Sequence, residues 1–593
     1  MWKGNRFNHS LINLGDFVVS QNILDILKNI NNQNIKFKDW KNKKIYKLLC
    51  NKELLKLAYN NIKSKPGSMT PGVDAETLDG IDEKYLDDII KKLKNNTFKF
   101  KPSRIKEIPK KDGKTRKISI PSPRDKIVQE AMRLILESIF EPTLSNNSHG
   151  FRPGRSCHTA LNDIRYKWPG TEWFLEFDLV DFFNSIDHHS LMKKIQEKII
   201  DDKFIQLLWK YLKNGYLENF KYRNSVAGTP QGSTIGPILS NIFLTELDNY
   251  IENELKLKYE VGKRKPVNPE YIKIRDIKDK DRRIKEMNKF RREGKIYTKR
   301  KTDKYIRIRY IRYADDFLVS LCASKNTAQE IQNKIIEKIE SMKLEINEHK
   351  TKLVDAYDSV DFLGVQISAR KPGKIAITTK NNQKRTIPTG TITIKCVIQK
   401  IVQKLEKMGF CNSDGFPICC NKLINFSLEE IVTKFNYILK GLINYYKPTD
   451  NFYNFGRIQY ILQYSLAKTI AGKLKTSMRQ VFRKFSKNIK ISEKCYFKME
   501  KSFKTTSRWK QADDFSLENY KRTQQMIFID EVCVCCGSNK DLVKHHIKKI
   551  DRKAKSTWDK FMGKINRKQI TVCKKCHALI HNGKYDFTPL RTL

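Results

Sequence analysis

The chain has 593 residues, too many for one hydrophobic core, so roughly three to five domains or subdomains are expected. Hydrophobic residues make up 39% of it, which excludes a wholly disordered chain. Lys and Arg number 116 against 65 Asp and Glu, a formal net charge of +51. Self-repulsion of that size calls for a polyanionic partner, and nucleic acid supplies dense phosphate with counterions to release. An A+T-rich genome would inflate Lys without explaining the many Arg. A membrane surface also attracts basic charge. However, no run of about 18 apolar residues marks a span, and no secretory signal is evident.

In chain order, residues 1–47 form an Asn- and Lys-rich extension with no assigned role. Globular texture starts at Leu48. Lys65 to Asp74 is loop chemistry, broken by Pro and Gly. Ile81 to Leu93 has the spacing of an amphipathic helix. Ile105 to Ile120 reads as a hairpin about Lys111-Asp112-Gly113-Lys114. Trp173 to Phe177 is an apolar run, a buried strand that delivers Asp178 at its end. Residues 251–304 are saturated with charge and read as a solvated, partly helical insertion in a unit spanning 48–380. Residues 390–475 carry helical periodicity and many aromatics, 476–525 are basic and expected to bind DNA, and 526–593 form a Cys/His module.

The chemistry concentrates in two places. From Ile306 to Tyr310 apolar residues alternate with Arg, then come Tyr313-Ala314-Asp315-Asp316 and the apolar Phe317-Leu318-Val319. Two strands around an Asp pair make a hairpin with carboxylates at its tip. Adjacent carboxylates near apolar strands repel and are costly to keep ionised. Paired Mg²⁺ ions about 3.5–4 Å apart remove that cost in nucleotidyl transfer, and hard oxygen ligands suit them. An isolated Asp-Asp is more often a plain turn.

Context separates the two. Tyr313-Ala314-Asp315-Asp316 resembles the YxDD box of reverse transcriptases, and Phe177-Asp178 resembles their upstream acid motif. Further boxes follow the family's order: Ile108-Pro109-Lys110, Arg116 to Pro121, Ser148 to Ser156, Gly228 to Ser233, and Phe362-Leu363-Gly364. The resemblance implies that Asp178, Asp315 and Asp316 hold Mg²⁺. It implies that Phe183 is the aromatic gate against a ribonucleotide 2′-hydroxyl, with simple packing as the alternative. Gln231 would line the nucleotide pocket, and Arg116 and Lys110 would meet the triphosphate of the dNTP. A solvated basic hairpin is the alternative for Lys110.

The Ser148 to Pro153 box, the stretch Val267 to Tyr271 and Gly441-Leu442-Ile443-Asn444-Tyr445-Tyr446 resemble group II intron proteins. The last of these resembles their thumb, or X, domain. Such proteins also promote splicing of their own intron RNA. Tyr445 and Tyr446 are thus expected RNA-binding residues among Lys and Arg, with core filling as the plain alternative. The resemblance at Leu48 to Asp79 is closest to organellar members, so a mitochondrial location is expected, with a chloroplast or the bacterial cytoplasm as alternatives. An inactive polymerase kept as a splicing factor is the rival, and the intact acids argue against it.

The second concentration is terminal. Five of the 13 Cys and four of the 10 His fall in the last 61 residues. Cys533 with Cys536 and Cys573 with Cys576 are two CxxC units, the pattern of a tetrahedral Zn²⁺ site. Such a small module needs a staple of this kind. A shift of register would bring in Cys535. The spacing of the histidines resembles ββα-metal, or HNH, nucleases. The resemblance implies His546 as general base, and His545, His577 and His581 as ligands of a catalytic divalent ion. A DNA-binding zinc ribbon is the alternative. Lys568 stands where the family has Asn, with Asn566 two residues earlier.

The whole implies an α+β multidomain chain. It would have right-hand polymerase fingers and an antiparallel palm, an α-helical thumb and a small ββα-metal zinc module. The expected partners are intron RNA, target double-stranded DNA and dNTPs.

Overall fold

The computed structural model describes residues 21–109 (apart from 64, 66 and 69), 115–218, 221–223, 227–292, 304–370, 390–506, 533–538, 541–546 and 569–582. Its centre is a four-stranded sheet, in the order Lys352–Asp355, Trp173–Phe177, Asp316–Cys322, Arg307–Tyr313. Every neighbouring pair is antiparallel. The two inner strands are nearly all apolar because the sheet is covered on both sides. Side chains alternate between faces along a strand. Leu175, Phe177, Phe317 and Val319 enter one large core with the helices Pro123–Phe140 and Gly236–Asn249. Phe174, Ile311 and Leu318 enter a second core under the helix Cys157–Lys167. A three-stranded antiparallel sheet, Val360–Phe362, Val365–Ala369 and Ile392–Cys396, closes that second core.

Local signals account for the element ends. The helix Glu83–Lys94 starts at Asp82, whose carboxylate accepts from the Tyr85 N–H. Ser156 and Thr159 form a capping box for Cys157–Lys167, and Ser427 and Glu430 form one for Leu428–Tyr446. The expected basic hairpin is present, Ser103–Pro109 against Thr115–Ile120. Its turn, with Lys110, lies outside the described residues.

Two stretches behave differently from their charge. The chain from 250 to 259 continues the preceding helix through a π-helical turn, Tyr250–Leu255, and buries Ile251, Leu255 and Tyr259. Solvated sequence begins only after that anchor. Likewise, the helices Ile398–Lys407, Leu428–Tyr446 and Gly456–Leu474 share a core with Val481, Ile489 and Phe497. The helical unit therefore runs past 475 into sequence whose Lys and Ser content suggested a basic segment. The terminal module pairs Leu542–His546 with Gln569–Cys573, followed by the helix Lys574–His581. Among the described residues, no helix is long and apolar enough to cross a membrane.

Candidate active sites

Asp178 follows the strand Trp173–Phe177 directly. Phe177 pairs with Phe317, so Asp178 sits one step further, opposite Asp316. In the adjoining hairpin Tyr313 pairs with Asp316, leaving Ala314 and Asp315 as a two-residue turn with Ala314 at φ +59°. The sheet register thus brings three carboxylates, 137 positions apart at the least from Asp178 to Asp315, to one edge. A pocket of about 310 Å³ opens there, lined in part by Asp178, Asp316, Lys350 and Leu363.

The electrostatics are those of crowded acids. Burial, then Asp315 and Asp178, pushes the Asp316 carboxyl up to about 6. Burial also raises Asp315, with Asp178 adding to the rise and the Arg116 guanidinium opposing it. Asp178 is held by Lys350 Nζ at 3.0 Å and Asn347 Nδ2 at 3.1 Å. A divalent cation relieves this kind of mutual repulsion. The donor set therefore fits Mg²⁺, which favours carboxylate oxygen.

Beside the acids, the segment carrying Phe183 and the turn carrying Gln231 are tied together. Thr229 N–H donates to Phe183 O at 2.6 Å, and Gly228 N–H to Ile186 O at 2.9 Å. A Cβ on Gly228 would lie 2.6 Å from Asn184 Cα, so only glycine permits this approach. Gln231 O accepts from Ser119 N–H on the strand that also carries the exposed Arg116. Phe182 is buried and Phe183 half-buried.

A clamp beneath the hairpin went unread in the sequence. Arg312, fully buried, meets Asp248 through two hydrogen bonds of 2.8 and 2.6 Å. Its Nη1 also donates to Asn241 Oδ1 at 2.9 Å and to Ala314 O at 3.0 Å, inside the carboxylate turn. Tyr310 donates to the same Asp248 at 2.7 Å. From the other side, Asn241 Nδ2 donates to Gly150 O at 2.9 Å. A Cβ on Gly150 would lie 2.3 Å from Ala314 N. Arg307 and Arg309 alternate with the apolar residues, whereas Arg312 falls in register with Ile308 and Tyr310 on the buried face; its partner, on a helix 64 residues away, is visible only in the fold.

Tyr445 and Tyr446 lie where the helical unit meets the sheet. Tyr445 donates to Leu363 O at 2.5 Å and packs on His158 and Tyr446. Tyr446 packs into two cores at once. Nearby, Arg165 binds Asp450 at 2.9 Å. These half-buried rings join the helical unit to the sheet. The larger exposed aromatic residues of the unit are Tyr453 (68%), Phe416 (66%), Tyr437 (58%) and Tyr460 (48%).

In the terminal module, one sulfur each from Cys533, Cys536, Cys573 and Cys576 lies within 4.8 Å of the others. Burial opposes ionisation of Cys533, but N–H donors from Cys536, Cys573 and Cys535 bring it down to about 6. Burial and the surrounding thiols push Cys576 up. Four sulfurs that cannot ionise together without a cation fit tetrahedral Zn²⁺. One nitrogen each from His545, His577 and His581 also gathers within 4.8 Å. His577 and His581 share a helix face, and His545 comes from the strand beside it. His546 ends that strand, paired with Gln569; its side chain, Asn566 and Lys568 lie outside the described residues.

Comparison with known proteins follows the same division. Residues 108–367 match the family model described as reverse transcriptase (RNA-dependent DNA polymerase). Residues 389–524 match type II intron maturase, and 531–577 match AI2M/AI1M-like HNH endonuclease. The group II intron-encoded protein LtrA of Lactococcus lactis is 34% identical over 581 residues, 91% of this chain and 96% of that one. The putative COX1/OXI3 intron 1 protein of Saccharomyces cerevisiae is 35% identical over 599 residues, 94% of this chain and 71% of that one. An uncharacterized 91 kDa protein in the cob intron of Schizosaccharomyces pombe is 32% identical, covering 95% and 73%. The chain belongs to the group II intron-encoded proteins, combining RNA-directed DNA polymerase, splicing maturase and an HNH DNA endonuclease for intron homing.

Proposed function

We propose that the polymerase reaction takes place at Asp178, Asp315 and Asp316, in a palm formed by the central sheet. The observation that carries this is the register bringing the three carboxylates to one sheet edge. They would hold Mg²⁺, which when bound activates the primer 3′-hydroxyl and neutralises charge on the triphosphate. Arg116 and Lys110 bind the dNTP phosphates, Gln231 lines the nucleotide pocket, and Phe183 excludes a 2′-hydroxyl. The tie between the Phe183 and Gln231 segments supports a single rigid pocket.

The helical unit serves as the thumb and as part of the surface for intron RNA. Tyr445 and Tyr446 act there by seating the unit, while exposed rings such as Tyr437 and Tyr453 offer faces for bases. In the terminal module, Cys533, Cys536, Cys573 and Cys576 hold structural Zn²⁺. His545, His577 and His581 hold a second divalent ion, and His546 takes the proton of the attacking water at the target DNA phosphate. A mitochondrial setting is favoured by the COX1 and cob intron relatives.

The experiment is extension of a DNA primer on an RNA template with Mg²⁺. Asp315→Ala abolishes extension and leaves RNA affinity within about twofold, since no phosphate contact is lost. Extension by that variant at the normal rate rejects the assignment.

A further inference from the structure

The box containing Gly150 ends against the carboxylate hairpin in a way that family roles for the acids leave unexplained. Asn147 O accepts from Arg312 N–H and His149 N–H donates to Arg312 O, both at 2.8 Å, so the segment lies along the hairpin like a short extra strand. The next residue but one, Phe151, turns outward. Its backbone is left-handed, φ +57°, and the residue is 55% exposed.

Both properties are unfavourable on their own. A left-handed backbone is costly for a bulky L-residue, and glycine would be the unstrained choice. An exposed phenyl ring forfeits its burial energy. The segment is nonetheless held firmly. Gly150 O is fixed by Asn241. Arg152, itself buried, binds the Glu141 carboxylate and donates to Ser148 O at 2.7 Å. Strain persists where the surroundings over-determine it, and such places cluster at functional sites.

The ring's neighbour points to the occupant. Phe151 and Tyr313 lie with centroids 6.5 Å apart, tilted by 41°. Tyr313 is the last residue before the turn that carries Asp315. In the polymerase reaction the primer's 3′-hydroxyl must come to those acids, so its base lies nearby. A phenyl ring stacks on any base and reads none, which suits an enzyme that must extend every sequence.

We propose that Phe151, with Tyr313 beside it, is a stacking surface for the primer-terminal base pair. The inference rests on the polymerase reading. It is tested separately by binding without dNTP, where no chemistry is required.

The test uses the full-length protein with Phe151→Ala, Phe151→Gly and Phe151→Trp. An RNA template is annealed to a DNA primer ending in 2-aminopurine. Wild type quenches that fluorophore on binding; the Ala and Gly variants do not. Their dissociation constant for the duplex rises roughly tenfold, in line with one lost base–aromatic stack. In extension assays the loss falls on KM for primer–template more than on kcat. Phe151→Trp keeps both quenching and affinity. Phe151→Gly melts at or above the wild-type temperature, because the backbone strain is released. A ring needed only for packing gives the reverse, a lower melting temperature for the Gly variant. Unchanged quenching and affinity in Phe151→Ala, or destabilised Phe151→Gly, overturns the proposal.

Discussion

At the scale of single residues, the proposed polymerase site rests on buried groups beneath the carboxylate turn. Arg312 and Asp248 are both fully buried. Removing one partner strands a charge in the core, which costs about 3–5 kcal/mol. Arg312→Met is therefore expected to destabilise the protein by that order. Arg312→Met with Asp248→Leu recovers part of the loss, because no lone charge remains. Primer extension stays low in both, since the Ala314 carbonyl has lost its donor. Denaturant unfolding and extension on the same samples check this; full activity in the double variant would remove Arg312 from any positioning role. His149 gives a pH signature. Burial, then Arg155, Arg152, Lys167 and Arg312, lowers it to about 3. The neutral ring is the one the fold accepts, with Nδ1 at 2.8 Å from Thr159 Oγ1. Its contribution is complete above the ordinary histidine value, near 6.5, and is lost as pH falls towards 3. Wild type should lose stability between pH 6.5 and 4.5 faster than His149→Gln, as measured by urea midpoints. Parallel slopes would contradict this.

At the scale of elements, what the sequence disclosed was what lies close together along it. The carboxylate hairpin is legible because its alternation, its Asp pair and its apolar return strand are contiguous. The capped helix after Asp82 and the paired CxxC units are legible for the same reason. The contacts that were missed join distant segments. Asp248 reads as an ordinary helix acid until it meets Arg312, and Gly150 reads as a loop glycine until its Cα faces Ala314 N. The packing of Tyr445 and Tyr446 was not legible, because an aromatic pair among Lys residues looks the same whether it stacks on RNA or seats a domain. The anchor of the charge-rich stretch after 250 was not legible, because Ile251, Leu255 and Tyr259 leave little trace among so many charges. Among the described residues, the terminal module has the smallest core, Cys533, Val534, Ile570, Val572, Cys573 and Cys576. Zinc held by the four cysteines, as proposed, would then supply folding energy. Cys573→Ser should release zinc and abolish nicking, while extension of a supplied primer continues at the wild-type rate. Zinc retained at one equivalent in that variant would exclude Cys573 as a ligand.

At the scale of the whole molecule, the three activities form one sequence of events. The net charge of +51 favours a long-lived complex with RNA. The endonuclease creates a 3′ end in the target, and the polymerase requires such an end. The central claim is that both steps belong to this one chain at separate sites. The direct measurement is cDNA synthesis by the intron RNA–protein particle on an intact target duplex, with product length reporting covalent joining to the nicked strand. Wild type should give cDNA joined to the target. His546→Ala should give none on the intact duplex and a normal yield on a duplex nicked beforehand. Asp315→Ala should nick normally and give no cDNA on either substrate. Joined cDNA at wild-type levels from Asp315→Ala, or from His546→Ala on the intact duplex, would contradict the account.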